Sequence, residues 1–107
     1  MNFKIGTILT TLIAVTATAA MAAGVITISQ KDKQFSEKKI ELAVGDTIKF
    51  VNEDPFAHNL YSKKGAVQFD TGVLKPGETY ELKLDKNGKF TARCAIHPKM
   101  KLKVTVK

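Results

Sequence analysis

The chain has 107 residues, of which 44% are hydrophobic and 25% charged. The length is enough for one domain and excludes a multidomain chain. The composition is that of a globular protein and excludes a disordered or collagen-like chain. Seventeen lysine and arginine residues against ten acidic ones give a formal charge of +7, and all but one of these cations are lysine. The single cysteine, Cys94, excludes an intramolecular disulfide framework and a zinc ribbon built from cysteine pairs. Histidine occurs only twice, as His58 and His97.

Residues 1–23 have the order of a secretory signal peptide. Lys4 precedes an uncharged apolar stretch over residues 5–15, and small residues dominate residues 16–23. Ala20 and Ala22 form the small-x-small pair that a signal peptidase accepts, so cleavage is expected near residue 22 or 23; Ala17 and Ala19 are an earlier alternative. A membrane anchor is the competing interpretation, but the uncharged stretch turns polar and β-branched toward residue 30. We therefore predict export to a periplasm or the cell exterior, without stable membrane insertion.

Cleavage before Gly24 leaves a mature domain of 84 residues, 24–107, with a formal charge of +6. A lone cysteine is unusual in an exported protein, because the oxidising compartment joins thiols into pairs. We therefore expect the Cys94 thiol either to be shielded from oxidation or to take part in the function of the protein.

The mature segment reads as β-strands throughout. Residues 25–29 are mostly β-branched, and Leu60 and Tyr61 follow a loop around Pro55. Apolar and polar residues alternate at 40–42, 48–50, 80–84, 90–94 and 100–106. Asn87-Gly88 predicts a β-hairpin between the segments at 80–84 and 90–94. With no sustained helical period, these signals predict one all-β domain, a β-sandwich of about seven or eight short strands.

The alternation also predicts which side chains meet. Side chains of a strand point alternately to opposite faces, so Cys94 lies on the inward face of its strand and Met100 on that of the next. His97 lies in the loop between them, three residues from each, and His58 shares an inward face with Leu60. We therefore expect both histidines, the cysteine and this methionine to converge at one pole of the sandwich.

Two imidazoles, a thiolate and a thioether select copper. A trigonal plane of two histidines and a cysteine with a weak axial methionine is the arrangement of electron-transfer copper sites. Zinc is the alternative metal, but methionine is a poor zinc ligand.

The residues around the four candidates resemble a known family. The segment Cys94-Ala95-Ile96-His97-Pro98-Lys99-Met100, with Pro55-Phe56-Ala57-His58-Asn59 and Val44-Gly45-Asp46 upstream, resembles the small blue copper proteins, or cupredoxins, of the plastocyanin and amicyanin kind. The Cys-x-x-His-x-x-Met spacing is similar to amicyanin's short ligand loop. The resemblance implies a Greek-key sandwich that holds one copper ion, with His58, Cys94 and His97 as equatorial ligands and Met100 as the axial one.

The resemblance also implies supporting roles. Asn59 would tie the His58 segment to the ligand loop by hydrogen bonds, and Pro98 would stiffen that loop. Lys99 departs from the family, because the amicyanin loop carries an aromatic residue there. We therefore expect a different partner surface.

The function that the resemblance implies is electron carriage without substrate chemistry. Single electrons would pass between redox partners by Cu(I)/Cu(II) cycling, with His97 as the electron port. The residues implied in partner docking are Pro55, Phe56, Ala57, Ile96, Pro98 and Lys99. A monomer that serves a periplasmic dehydrogenase or a c-type cytochrome is expected. Four lysines, Lys63, Lys64, Lys99 and Lys101, would favour an acidic partner; the alternative is a solvated face that blocks edge pairing.

Other functions remain open at this point. A copper chaperone or storage protein would use the same ligands without redox cycling. A cysteine nucleophile with a histidine base would make an enzyme, but no acyl-transfer motif is present. Nucleic-acid binding is suggested by charge alone, and one arginine and two tyrosines speak against it.

Overall fold

The computed structural model describes residues 23–107, which form nine β-strands. The strands are β1 (Val25–Lys31), β2 (Gln34–Phe35), β3 (Lys39–Leu42), β4 (Thr47–Asn52), β5 (His58–Ser62), β6 (Phe69–Leu74), β7 (Thr79–Lys83), β8 (Gly88–Cys94) and β9 (Lys101–Val106). Among the described residues, no helix reaches the length and apolarity needed to cross a membrane. The predicted signal peptide lies outside this range, apart from residue 23.

The strands form two sheets. One has the order β2-β1-β4-β7 and the other the order β3-β9-β8-β5-β6. Parallel pairing joins β1 to β4 and β3 to β9, while the remaining pairs are antiparallel. The all-β sandwich predicted from the sequence is confirmed.

The core lies between the two sheets, as the alternation of apolar residues requires. The first sheet contributes Ile28, Ile48 and Phe50, and the second contributes Leu60 and Leu102, all at most 1% exposed. Full burial of such a side chain is worth about 1.5–3 kcal/mol. The core therefore fixes the two sheets against each other and, with them, the strand ends at the pole.

The hairpin predicted at Asn87-Gly88 is wrong. β7 pairs with β4 and β8 pairs with β5 and β9, so the turn crosses from one sheet to the other. The amide of Leu84 donates to Asp46 O (2.8 Å) and its carbonyl accepts from Gly45 N (2.7 Å), which keeps the end of this segment with the first sheet. Gly88 has a φ of 131°, and a Cβ there would lie 2.7 Å from Ala66 Cβ. A glycine at position 88 therefore allows the chain to cross from one sheet to the other.

The alternation of apolar residues did not predict two of the strands, β2 and β6, and it placed the start of β9 one residue too early. β2 has only two residues, and β6 is an edge strand in which one residue, Leu74, is buried. β9 begins at Lys101, so Met100 directly precedes it and continues its inward pattern. A strand of two residues, or an edge strand with a single buried side chain, leaves no period-2 pattern of apolar residues.

Candidate metal centre

His58 begins β5 and points into the pole of the sandwich, where its side chain is fully buried. Its Nε2 lies 2.6 Å from Oδ2 of Asp54, which is also buried. A carboxylate only accepts hydrogen bonds, so Nε2 carries a hydrogen, and in the neutral ring the lone pair then lies on Nδ1. The contact therefore fixes the tautomer in which Nδ1 is free to bind a metal.

Asp54 is itself held by its surroundings. The amides of Asp32 and Lys33 donate to its two carboxylate oxygens at 2.6 and 3.2 Å, and its own amide donates to Asn52 Oδ1 at 2.9 Å. Burial raises the pKa of Asp54, but the hydrogen bond from His58 and the two amide donors outweigh burial and hold the pKa below its usual value. Asp54 is thus an anion at neutral pH. Sequence reasoning missed it, because no spacing rule marks a loop aspartate as a histidine partner.

Cys94 and His97 complete a triangle with His58. Cys94 Sγ lies 3.5 Å from His58 Nδ1 and 3.8 Å from His97 Nδ1, and the two Nδ1 atoms lie 3.2 Å apart. A point equidistant from the three atoms lies about 2.0 Å from each, close to the bond lengths of about 2.0–2.3 Å that such ligands make to zinc. These three residues form a cluster able to hold one metal ion.

His97 is only partly buried, unlike His58 and Cys94. Burial lowers the pKa of His97, and repulsion from His58 and Lys33 lowers it further, with a smaller opposing effect of Asp54. The neutral ring keeps a lone pair for a metal at physiological pH. The Phe56 ring packs against both imidazoles, with ring centroids 5.3 Å from His97 and 5.5 Å from His58.

Met100 lies at the end of the ligand loop. It is 2% exposed, and its amide donates to His97 O at 3.0 Å, which closes the loop into a tight turn. This position of Met100 is compatible with a thioether close to the three clustered ligand atoms. The role of Met100 as the axial ligand stays a prediction.

The predicted supporting residues occupy different positions. Asn59 O accepts from Ala95 N at 2.8 Å, so the backbone of Asn59 ties β5 to the ligand loop. The side chain of Asn59 instead donates to Asp70 Oδ1 at 2.8 Å and turns away from that loop. Pro98 is exposed within the loop.

The predicted docking residues divide between two places. Ile96, Pro98 and Lys99 line a groove of about 530 Å³ beside His97, together with Asp32, Lys33, Gln34 and Lys38. Pro55, Phe56 and Ala57 belong to the β4–β5 loop and do not line this groove. The structure shows a further cation lining this groove that the sequence did not predict. It is Lys33, whose Nζ lies 5.7 Å from the Phe56 ring centroid. The β1–β2 turn that carries it had no signal in the sequence.

A profile of the copper-binding proteins of the plastocyanin/azurin family matches residues 22–107. The chain belongs to this family. Amicyanin-alpha of Methylorubrum extorquens is 29% identical over 109 residues, which covers 89% of this chain and 92% of the relative. Such proteins are cupredoxins, and the family resemblance drawn from the ligand loop is confirmed.

Solved structures agree on the fold. A purple cupredoxin from Nitrosopumilus maritimus superposes with a TM-score of 0.68 at 23% identity, covering 77% of this chain and 99% of that one. A copper-containing nitrite reductase from Thermus scotoductus superposes with a TM-score of 0.71 at 32% identity, but this chain spans only 22% of its length. The donor set fits the family's metal, since imidazole and thiolate ligands suit copper. This cupredoxin is therefore a copper protein, with one ion as the expected content.

Proposed function

We propose that this cupredoxin is an exported blue copper electron carrier, in which His58, Cys94, His97 and Met100 are the ligands. The observation that carries the proposal is the convergence of His58 Nδ1, Cys94 Sγ and His97 Nδ1 within 4.8 Å of one another at the pole. Copper, when bound, supplies a one-electron Cu(I)/Cu(II) couple. Amicyanin and the plastocyanin/azurin family support this assignment.

The protein's own contribution is a fixed geometry. Each ligand is attached to a different part of the core: His58 to β5, Cys94 to the end of β8, and His97 to a turn closed by Met100. The buried Asp54 holds the His58 ring, and Ala95 N holds the loop against Asn59 O. A site that cannot relax between oxidation states exchanges electrons with little rearrangement.

His97 is the proposed port for the electron. It alone of the three clustered residues is partly exposed, and the groove beside it offers the apolar surface of Ile96 and Pro98. A periplasmic dehydrogenase or a c-type cytochrome would dock there briefly, since redox interfaces are small.

The visible spectrum after addition of Cu(II) tests the function. We expect an intense blue colour from thiolate-to-copper charge transfer, together with reversible reduction and reoxidation. Cys94→Ser should abolish the colour, whereas Met100→Gln should keep copper and shift the reduction potential. A colourless Cu(II) protein would rule the proposal out, and binding of Cu(I) without cycling would favour the chaperone or storage alternative.

Export is a separate part of the proposal. It is supported by the order of residues 1–23, and it predicts a secreted or periplasmic protein of 84 residues that begins at Gly24. The mass of the mature protein from a fractionated culture measures the cleavage site. A full-length protein in the membrane fraction would contradict this part and leave the copper chemistry untouched.

A further inference from the structure

The sandwich holds Gly24 by both its nitrogen and its oxygen. The carbonyl of Gly24 accepts from Thr47 N at 2.9 Å, and its nitrogen donates to Asp46 Oδ1 at 2.9 Å. Strand β1 follows directly, with Val25 paired to Thr47. From Thr47, β4 runs to Asn52 beside the metal centre, so Gly24 lies at the opposite end of the domain.

The Asp46 carboxylate that receives the Gly24 nitrogen is fixed in the turn before β4. Its second oxygen, Oδ2, accepts from Ala43 N at 2.9 Å, and the amide of Asp46 donates to Ala43 O at 3.0 Å. The carbonyl of Asp46 accepts from Leu84 N at 2.8 Å. The hydrogen bonds from Ala43 and Gly24 hold the pKa of Asp46 below its usual value. The turn therefore holds an anion at a fixed distance from the Gly24 nitrogen at neutral pH.

This anion forms no ion pair with any side chain of residues 23–107. The neighbouring segments carry three other charged side chains, which are Lys83, Asp85, and Lys107 with its Nζ 3.2 Å from Glu41. A carboxylate that accepts two amide hydrogens still has lone pairs for a further donor hydrogen. The nitrogen already placed to supply a positive charge is that of Gly24, once it becomes a chain terminus.

We propose that signal peptidase cleaves between Ala23 and Gly24 and that the new α-ammonium group of Gly24 forms an ion pair with the Asp46 carboxylate. Water hydrolyses the peptide bond: Ala23 leaves with the signal peptide as a carboxylate, and the nitrogen stays on Gly24 as an ammonium group. This inference rests on the export part of the proposed function. It assigns the cleaved bond and the residue that receives the new terminus.

The charged contact attracts more strongly than the amide contact that it replaces, because an ammonium group adds a unit charge where the peptide had a dipole. Ordinary surface ion pairs contribute little, since two long side chains lose freedom in forming them. Here Thr47 N already holds Gly24 and Ala43 N already holds Asp46, so this loss is small. The precursor lacks the ion pair, and the domain gains it only after the signal peptide is removed.

The first experiment compares residues 24–107 with residues 23–107 by thermal unfolding of the metal-free protein, at about pH 6.5, below the usual pKa of an α-amino group. Both chains are made in the cytosol with the initiator methionine removed, so that neither export nor copper enters the result. In the longer chain the ammonium group lies on Ala23 and Gly24 keeps its amide. We expect the chain that begins at Gly24 to melt at least about 2 °C higher. Equal melting temperatures would overturn the ion pair.

Asp46→Asn tests the partner of the new terminus. The variant also weakens the contact with Ala43 N, but that loss is common to both chain lengths and cancels in their difference. We expect the difference to disappear in Asp46→Asn and to persist in Asp85→Asn, which removes an exposed carboxylate after β7. A difference that survives in Asp46→Asn would contradict the proposal, because chain length alone would then explain it.

An NMR titration of Gly24 13Cα gives an independent measurement. We expect the pKa of the α-amino group of the 24–107 chain to lie above its ordinary value of about 7.7–8.0, and Asp46→Asn to restore that value. A group whose pKa is raised by folding contributes stability that is lost as the pH rises through the raised pKa. The melting advantage of the shorter chain should therefore shrink at alkaline pH, and an unshifted pKa would overturn the ion pair.

The N-terminal sequence of the exported protein reports the cleaved bond. We expect it to begin at Gly24, and a start at Ala23 would overturn the assigned cleavage. Full-length protein in the membrane fraction would contradict the proposed export and, with it, the cleavage. The two recombinant chains are compared without export or copper, so the ion pair and the proposed function can fail separately.

Discussion

At the scale of single residues, the structure adds Asp54 to the residues that define the site. Its carboxylate connects the His58 ring to the amides of Asp32 and Lys33. Those two residues have φ values of 54° and 57°, a left-handed conformation that L-residues other than glycine seldom adopt. The carboxylate accepts from both amides, which helps to hold the β1–β2 turn that brings Lys33 over Phe56. One buried anion thus orients the proposed ligand His58 and helps to place the Lys33 cation beside the proposed electron port, His97.

Asp54→Asn should raise the reduction potential. The negative charge behind His58 makes the imidazole a better donor and favours the more positive Cu(II) state, so its removal favours Cu(I). We expect a rise of some tens of millivolts, since a tenfold change in the relative affinity for the two states corresponds to about 59 mV.

Voltammetry measures the shift, and 15N spectra of the His58 ring in the metal-free protein report whether the Nε2–H tautomer survives. Asp70→Asn is the matched control, because Asp70 is an exposed carboxylate on Asn59 and does not contact either histidine. Equal shifts in both variants would mean that Asp54 acts only through general charge.

Three of the four candidate ligands could be proposed from local spacing, because Cys94, His97 and Met100 lie within seven residues. His58 was proposed from the alternation of its strand, which places it on the same inward face as Leu60. Asp54 and Lys33 were not, because they reach the site through a loop and a turn whose paths depend on tertiary packing. The direction of the Asn59 side chain was equally out of reach, since it depends on Asp70 in an edge strand that left no pattern.

At the scale of elements, the crossing between the two sheets depends on Gly88. Gly88→Ala should lower the free energy of unfolding by about 2–4 kcal/mol, because the φ of 131° strains an alanine and its Cβ would meet Ala66. Urea unfolding measures the loss. Gly77→Ala is the control for strain alone, since Gly77 has a φ of 83° and open space around its Cβ, and about 1 kcal/mol is expected. Equal losses would mean that contact with Ala66 costs nothing.

The opposed cations of β3 and β9 allow a test of the sheet itself. Lys103→Glu places an acid opposite Lys39 and should stabilise the fold by about 0.5 kcal/mol. For a domain of this size, the melting temperature should rise by about 2–4 °C. Thermal unfolding measures it, with Lys83→Glu as a control in an exposed strand position of the other sheet. An unchanged or lowered melting temperature would show that repulsion between Lys39 and Lys103 does not destabilise the sheet.

The alternation of apolar residues predicted the two faces of the long strands and hence the sandwich. It gave no sheet order, and Asn87-Gly88 was misleading because the same dipeptide serves a hairpin or a crossing between sheets. Parallel pairing of β1 with β4 and of β3 with β9 joins distant segments, which a local pattern cannot encode.

At the scale of the whole molecule, the metal should act as a clamp between segments far apart in the chain. His58 belongs to β5, while Cys94, His97 and Met100 belong to the β8–β9 region. A ligand that binds only the folded state stabilises it by about 4 kcal/mol at a thousand times its Kd. We expect copper removal by a chelator to lower the melting temperature by more than about 10 °C, as measured by calorimetry.

Cys94→Ser provides the comparison for that experiment. Without the thiolate, addition of copper should restore little of the lost melting temperature. If the serine variant gains as much from copper as the natural protein, the ion binds elsewhere and the clamp is not at the pole.

Cys94 is 1% exposed, and its Sγ lies 3.5 Å from His58 Nδ1 and 3.8 Å from His97 Nδ1. Alkylating and oxidising reagents reach such a group only when the chain opens locally. Two folded copies therefore cannot form a disulfide between their Cys94 residues. The thiol of the metal-free protein stays reduced in an oxidising medium as long as the chain remains folded. The packing thus preserves the capacity to be loaded with metal long after folding is complete.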